Sequence, residues 1–282
     1  MDCPSIPNGD YGAFSKRLHQ AIHAKHLPIG GGIDLTSRCN LNCVHCYINE
    51  PATDEFSLGE ITRLFDEIAE AGCLWMLLTG GEPLLRKDFP EIYLYAKKKG
   101  FLITLFTNAT LLTPELADML AKWPPFAVEI SLYGATRETY EKVTGVKGSF
   151  DRCLEGIRLL RERGISLRLK SMVLSINHHE LNAMMEFARE QGTEFRYDAN
   201  IHGRLDLNGC TTDYRLAPED IVALDMLDKR RISSLREFVE YSKKQKMDHE
   251  NLFHCGAGLD SFHVGSDGKM YLCIMVRDLY YD

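Results

Sequence analysis

The sequence has no hydrophobic run long enough to cross a membrane. Its densest apolar stretch, residues 74–78, is the length of a strand, whereas a membrane-spanning helix needs about 20 apolar residues. The amino-terminal segment MDCPSIPNGDYG lacks the basic-then-apolar order of a secretory signal peptide. Internal repeats and low-complexity segments are also missing, which excludes solenoid folds. These absences predict a soluble protein of the cytoplasm.

The chain also has little excess charge of either sign. Its 33 Lys and Arg residues against 40 Asp and Glu residues give a net charge of −7 at pH 7. Such a balance argues against a nucleic-acid or anionic-membrane partner. With 282 residues, 45% of them hydrophobic, the chain can bury a large core, which excludes extended disorder and a small disulfide-stapled scaffold.

Cysteine is the residue type whose placement carries the most information. There are nine cysteines, an odd number, and a reducing cytoplasm does not favour structural disulfides. Three of them, Cys39, Cys43 and Cys46, lie within eight residues, and Cys255 and Cys273 lie near the end of the chain. This distribution indicates metal or redox chemistry.

Short apolar runs alternate with amphipathic segments through the middle of the chain. The pattern predicts an α/β fold with six strands, at residues 32–35, 73–78, 101–107, 126–132, 167–174 and 194–199. Predicted helices begin at residues 57, 89, 113, 149 and 179. Alternation of this kind implies a parallel sheet, either doubly wound or an open barrel, with chemistry at the carboxyl ends of the strands. The cysteine loop follows the first strand and residues 80–83 follow the second, so both are expected on one rim.

The pattern changes after residue 200. Residues 204–214 are predicted to form a loop, and residues 218–244 a charged helical segment. Its candidate buried positions are Leu224, Leu227, Leu235 and Phe238. The Asp267-Gly268 pair between two apolar runs predicts a β-hairpin of residues 262–264 and 270–272.

Three interpretations of the cysteine loop CNLNCVHC (39–46) compete. A structural zinc site needs a fourth ligand, and His45 is poorly placed between the thiols to supply it. Ordinary core cysteines are not expected at this density in a polar loop. An iron–sulfur cluster held by three thiolates leaves one iron open for another ligand, as a catalytic metal site requires. The spacing favours the cluster.

Several motifs together resemble the radical S-adenosylmethionine (radical SAM) enzymes. The cysteine loop lies in the frame IDLTSRCN (33–40), and TGGEPL (79–84) resembles the family's "GGEP" motif. The strand ends FTN (106–108) and ISLYG (130–134) also match in order. The resemblance covers about residues 29–200.

This resemblance implies a partial (β/α)6 TIM-like barrel that holds a [4Fe-4S] cluster on Cys39, Cys43 and Cys46. The open iron would bind S-adenosylmethionine (SAM), whose reductive cleavage gives a 5′-deoxyadenosyl radical that abstracts hydrogen from a substrate. It also implies a set of cofactor-binding candidates, with His45 as a further flat group nearby. That set is Tyr47, Gly80, Gly81, Glu82, Pro83, Asn108, Ser131 and Lys170.

The tail, with CGAG (255–258) and DGKMYLC (267–273), resembles the opening of the SPASM or twitch extension. In relatives this extension carries auxiliary iron–sulfur clusters, so Cys255 and Cys273 are candidate ligands. The match stops in mid-motif, and we therefore expect the natural protein to be longer. The expected organisation is a barrel at 29–205, a linker and charged helix at 206–249, and the start of the extension at 250–282.

The resemblance favours a peptide or protein substrate, as in peptide and sulfatase maturases, and a reductase or flavodoxin-type electron donor. Enzymes of cofactor or tetrapyrrole biosynthesis are an alternative within the family, and a non-enzymatic zinc-stabilised binding protein is an alternative outside it. Polar residues after the sixth strand are candidates for the substrate side of the site: Asp198, Asn200, His202 and Arg204.

Overall fold

The computed structural model of the chain describes residues 17–18, 21–22, 25, 27–48, 55–206, 211–226, 229–244 and 257–281. Its strands are β1 (Gly30–Asp34), β2 (Trp75–Thr79), β3 (Leu102–Thr107), β4 (Ala127–Ser131), β5 (Leu167–Met172), β6 (Glu194–Asp198), β7 (Ser261–Val264), β8 (Met270–Cys273) and β9 (Val276–Tyr281). Its helices are α1 (Leu58–Glu70), α2 (Phe89–Lys98), α3 (Pro114–Lys122), α4 (Arg137–Thr144), α5 (Ser149–Glu162), α6 (Leu181–Glu190), α7 (Pro218–Asp225) and α8 (Lys229–Lys244).

All nine of these strands belong to one sheet with the order β6-β5-β4-β3-β2-β1-β7-β8-β9. Strands β1 to β6 are parallel, and the sheet is not closed, because β6 has no partner on its outer side among the described strands. The expected partial barrel is therefore confirmed. Parallel strands share one carboxyl edge, so the loops that leave β1 to β6 meet at the same rim.

Local sequence signals explain where several helices begin. Ser57 caps α1 in a capping box with Glu60, in which each side chain binds the other residue's backbone N–H. Thr113 caps α3, with Pro114 in its first turn, where a missing N–H costs nothing. The apolar faces of these helices pack on the sheet, and their buried residues include Ile61, Phe65 and Leu120.

The carboxyl-terminal strands extend the same sheet on the other side of β1. The predicted hairpin is present as antiparallel β7 and β8, and β9 adds a third strand that the sequence did not predict. Strand β7 pairs in parallel with β1 over Gly30–Ile33 and Ser261–Val264. The strand that leads into the cysteine loop is thus flanked by β2 and by the carboxyl-terminal hairpin.

One helix was not predicted, and one prediction about a helical segment needs correction. Helix α4 was not predicted, although Thr136 caps it and Gly145 ends it with φ +69°. The charged segment 218–244 forms two helices, and Leu235 and Phe238 in α8 are 45% and 66% exposed instead of buried. Leu224 in α7 is partly buried against the core, and Leu227 lies outside the described residues. Periodicity identifies an apolar face but does not show whether another element covers it. No helix in the described part of the chain is long and apolar enough to span a membrane.

Candidate functional site

A cavity of about 1200 Å³ opens at the carboxyl ends of β1 to β6. Ligand pockets usually have volumes of about 300–1,000 Å³, so this cavity has room for a cofactor and part of a substrate together. It brings together most of the residues predicted from the sequence. Its lining includes Cys39, Cys43, His45, Cys46, Tyr47, Gly80, Gly81, Asn108, Ser131, Lys170, Asp198, Asn200 and His202.

The cysteine loop is held from one side by the end of α4. The N–H groups of Asn42 and Val44 donate to the carbonyls of Thr144 and Val143, at 2.9 and 3.0 Å. A Cβ on Gly145 would lie 2.8 Å from the carbonyl oxygen of Asn42, so the close approach needs glycine as well as the positive φ. The helix that the sequence analysis missed therefore supports the loop that carries the thiols.

The Gly80-Gly81 pair packs directly against the backbone that precedes Cys39. A Cβ on Gly80 would lie 2.2 Å from the carbonyl oxygen of Thr36, and one on Gly81 would lie 2.3 Å from that of Arg38. The N–H groups of Gly81 and Glu82 donate to these two carbonyls at 2.8 and 2.9 Å. The glycines thus join the two motifs that the sequence placed on one rim.

Glu82 and Pro83 lie beneath this junction. Both are buried, and Pro83 starts a short 3-10 helix, Pro83–Leu85. The carboxylate of Glu82 accepts hydrogen bonds from the Thr107 hydroxyl at 2.7 Å and from the N–H groups of Asn108 at 2.7 Å and Leu84 at 3.2 Å. Burial raises the pKa of Glu82 to about 7 in spite of these bonds. In this arrangement Glu82 ties the β2 loop to the end of β3.

Asn108 links β3 to the cysteine loop. Its side-chain amide donates to Asn40 Oδ1 at 3.0 Å and lies 3.8 Å from the Cys39 sulfur. Its Oδ1 accepts from the backbone and hydroxyl of Thr110 at 2.9 and 2.6 Å, and Thr110 in turn accepts from Asn40. Asn108 therefore fixes the position of the first thiol as well as lining the cavity.

His45 lies against Tyr133 in an edge-to-face contact, with ring centroids 4.7 Å apart. Burial lowers the pKa of His45 to about 4, and its Nδ1 has no hydrogen-bond partner among the described residues. Ser131 lies two residues before Tyr133 and lines the cavity at the end of β4. Tyr133 was part of a matched motif but was not singled out as a site residue.

Lys170 projects from β5 into the cavity. Its Nζ lies 2.9 Å from the centre of the Phe106 ring. Burial lowers the pKa of Lys170 to about 7, with Glu129 acting in the opposite direction. Glu129 itself lies 3.6 Å from Arg168, so its charge is shared with another cation. An ammonium held in this way favours an anionic ligand.

The remaining predicted residues occupy the edge of the site. The Asp198 carboxylate accepts from the N–H of Asn200 at 2.8 Å, and both residues line the cavity with His202. Arg204 lies 3.7 Å from Asp206 in an ion pair. Cys273 ends β8, and the cavity is lined by the two residues that follow it. Cys255 lies outside the described residues.

Among the residues that the structure describes, no three His, Cys, Asp or Glu side chains converge on a single metal ion.

Comparison with known proteins identifies the family. The sequence pattern of the radical SAM superfamily matches residues 33–188 of the chain, which include the end of β1, the cysteine loop and the whole of strands β2 to β5. The chain belongs to the radical SAM superfamily. Members of this superfamily use a [4Fe-4S] cluster together with SAM.

Several proteins are similar to this radical SAM chain. Fe-coproporphyrin III synthase of Methanosarcina barkeri is 37% identical over 197 residues, covering 67% of the chain and 49% of that protein. Mycofactocin maturase MftC of Mycobacterium tuberculosis is 31% identical over 251 residues, covering 85% of the chain and 63% of that protein. The matched part of the chain spans about half the length of each of the first three curated relatives.

A solved structure shares the fold. Streptococcus suis SuiB bound to S-adenosylmethionine aligns with a TM-score of 0.69 at 18% identity, covering 99% of the chain and 70% of SuiB.

The residues of the site fit the cofactors of the superfamily. Three thiols on one loop supply three ligands and leave a position open, which suits a catalytic cluster. The thiols line the same cavity as the Gly80-Gly81 junction and Lys170, and its volume of about 1200 Å³ is sufficient for SAM. Burial raises the pKa of the Cys43 thiol, and a bound metal would favour its deprotonated form.

Proposed function

We propose that this protein is a radical SAM enzyme that acts on a peptide or protein side chain. The observation that carries the proposal is the placement of all three loop thiols in one cavity with the Gly80-Gly81 junction. When bound, the cluster and SAM supply a 5′-deoxyadenosyl radical that takes a hydrogen atom from the substrate. The chain's own residues hold these groups, orient them and limit access of water.

Individual roles follow from position. Cys39, Cys43 and Cys46 would hold the cluster, and Lys170 would face the SAM carboxylate. Tyr47, Asn108 and Ser131 would contact the cofactor, whereas Glu82 and Pro83 support it from beneath the Gly80-Gly81 junction. Asp198, Asn200 and His202 would face the substrate at the edge of β6. An electron would come from a reductase or a flavodoxin-type donor.

A peptide substrate is supported by the relatives. SuiB of Streptococcus suis has a structure with its precursor peptide, and it covers 98% of this chain at a TM-score of 0.69. MftC is named a maturase. The cavity of about 1200 Å³ leaves room for a substrate group beside the cofactor.

A tetrapyrrole substrate is the second candidate, favoured by the 37% identity to Fe-coproporphyrin III synthase. The two candidates differ in which compound stimulates SAM cleavage. If the enzyme acts on peptides, formation of 5′-deoxyadenosine in reduced protein is unaffected by an iron tetrapyrrole precursor from which Fe-coproporphyrin III is made. Marked stimulation by that tetrapyrrole would overturn the peptide proposal.

We also propose that residues 29–205 form the catalytic barrel, 206–249 a linker with a charged helix, and 250–282 part of a SPASM or twitch extension. Cys255 and Cys273 would contribute to an auxiliary cluster. Two thiolates do not complete the usual shell of four, so this cluster needs further ligands.

Replacement of Cys43 tests the activity directly. We expect Cys43→Ala to abolish 5′-deoxyadenosine formation after anaerobic reconstitution and reduction, because two thiolates cannot hold the catalytic cluster. Circular dichroism should show that the fold is retained. The matched control is Cys73→Ala, which removes a buried thiol two residues before β2 and should leave SAM cleavage in place. Unchanged cleavage in Cys43→Ala would refute the assignment.

A further inference from the structure

A buried ion-pair cluster joins the carboxyl-terminal hairpin to the strand that precedes the cysteine loop. Asp34, at the end of β1, lies 2.7 Å from Arg277 Nη2 on β9 and 3.0 Å from His263 Nε2 on β7. The side chains of Asp34 and His263 are 4% and 5% exposed. We call these three residues the Asp34 clamp.

The carboxylate of Asp34 is held in its charged form. Burial alone would raise its pKa, but the contacts with His263 and Arg277 outweigh burial and hold the pKa below its usual value. Removing the Arg277 guanidinium from the buried Asp34 carboxylate leaves a charge without compensation, which is costly. The clamp therefore fixes the hairpin firmly to β1.

Two glycines leave the space that His263 and Arg277 occupy. A Cβ on Gly32 would lie 2.6 Å from His263 Nδ1, and one on Gly265 would lie 3.2 Å from Arg277 Nη1. Glycine is a poor strand residue, so its presence at Gly32 is explained by the ring that fills the space above it.

Arg277 connects the clamp to the cavity. Its Nε donates to the carbonyl of Ile274 at 3.1 Å, while its Nη2 binds Asp34. Ile274 and Met275 form the turn between β8 and β9, and both line the cavity. One guanidinium thus fixes the turn relative to the end of β1.

We propose that Arg277 and His263 are positioning residues that hold Ile274 and Met275 as an apolar wall of the substrate site, where they select an apolar side chain of the substrate. The substrate class rests on the proposed peptide function, whereas the positioning of the wall does not. Ile274 and Met275 offer only hydrocarbon and thioether surface, and the flexible Met side chain adapts to apolar groups of different shape.

The position of Met275 is measurable without catalysis. The sample is the full 282-residue protein, reconstituted with its cluster in the oxidised state and labelled with 13C at the methionine methyl groups. In its NMR spectrum, the methyl resonance that disappears in Met275→Leu is assigned to Met275. We expect Arg277→Gln and Asp34→Asn to shift this resonance toward that of Met270, which is 41% exposed in the same hairpin, and to narrow it. The buried Met76 and Met184 resonances should stay in place, which shows that the barrel remains folded.

Arg137→Gln is the matched control, because it removes an exposed ion pair with Asp151 on the outer helices. A Met275 resonance that already coincides with that of Met270 in the wild type, or one that Arg277→Gln leaves unchanged, would overturn the positioning role. The same spectra are also recorded on protein without a cluster. The positioning of Met275 is thereby tested independently of the radical SAM assignment.

Two small probes test the substrate class. N-acetyl-leucinamide should shift the Met275 methyl resonance in the wild type, and N-acetyl-serinamide at equal concentration should not. The shift should be lost in Arg277→Gln. Equal shifts with both probes, or none with either, would overturn the apolar selection while leaving the positioning result intact.

Discussion

Two ionisable residues near the site have pKa values displaced by burial, in opposite directions. The pKa of Glu82 rises to about 7, and that of Lys170 falls to about 7. The two differ in what surrounds them. Glu82 accepts three hydrogen bonds and holds two strand ends together, whereas Lys170 lies on an aromatic ring inside the cavity. The first residue supports the structure, and the second is suited to a ligand.

Lys170 should make the protein less stable near neutral pH than at high pH. A lysine in the unfolded chain has a pKa of 10.5, against about 7 in the folded protein. Between these values the unfolded chain binds more protons, so stability rises as the pH increases. We expect Lys170→Met to raise the free energy of unfolding by about 1–3 kcal/mol at pH 7, because it removes a buried charge. The difference in the free energy of unfolding between Lys170→Met and the wild type should decrease toward pH 10.

Thermal unfolding of wild type and variant in parallel across this pH range checks the prediction. Lys122→Met, at the exposed end of α3, serves as the control and should show no such trend. A stability gap that stays constant with pH would show that burial of the charge is not its cause.

At the scale of elements, glycine determines how β1 packs against β7. Gly32 faces His263, and a Cβ on Gly31 would lie 2.3 Å from the Phe262 ring. Gly30, one residue earlier, has nothing within 4 Å of its Cβ position. Strand β1 begins with three glycines, and ring side chains of the hairpin explain two of them, Gly31 and Gly32.

We expect Gly32→Ala to lower the free energy of unfolding by about 1–3 kcal/mol, because the methyl group overlaps the His263 ring. Gly30→Ala should change it by less than about 0.5 kcal/mol. Chemical denaturation measures both. Combining Gly32→Ala with His263→Ala should give less than the sum of the two losses, since the clash is gone. Equal stability of the two glycine variants would contradict this account of the packing.

The elements with strong periodicity were predictable, and the pairing of distant strands was not. Capping residues and apolar faces located α1 and α3, and Asp267-Gly268 located the hairpin of β7 and β8. Nothing in the local pattern indicates that β7 would pair with β1. The alternation of side chains along a strand, with a period of two residues, does not depend on which strand is its partner. Strand β9 carries exposed Leu279, Tyr280 and Tyr281, so it shows no alternation of buried and exposed positions.

The site was predictable to a similar extent. Motifs placed the thiols and the Gly80-Gly81 junction on one rim because parallel strands share a carboxyl edge. The Asp34 clamp was not predicted, because Asp34 lies more than two hundred residues before His263 and Arg277. Contacts between such distant residues leave no recognisable spacing in the sequence. His263 was assigned no role from the sequence, and the structure places its ring 3.0 Å from the Asp34 carboxylate.

At the scale of the whole molecule, the number of irons distinguishes one cluster from two. If the loop thiols hold one cubane, as proposed, the reconstituted 282-residue protein should bind about four irons and four sulfides per chain. Cys46→Ser should lose all of them, and Cys273→Ser should lose none. Iron and sulfide analysis gives the counts. About eight irons in the wild type would show that this chain completes a second cluster without further ligands.

The pairing of β1 with β7 also has a consequence for the order in which the chain folds. Residues 30–33 reach the ribosome exit early, but their partners at 261–264 are synthesised more than two hundred residues later. Until then one backbone edge of β1 remains unpaired beside the cysteine loop, and such edges recruit other strands. Distant parallel pairings also form slowly. The cysteine loop is therefore synthesised and exposed long before the strand that completes the sheet on this side of β1.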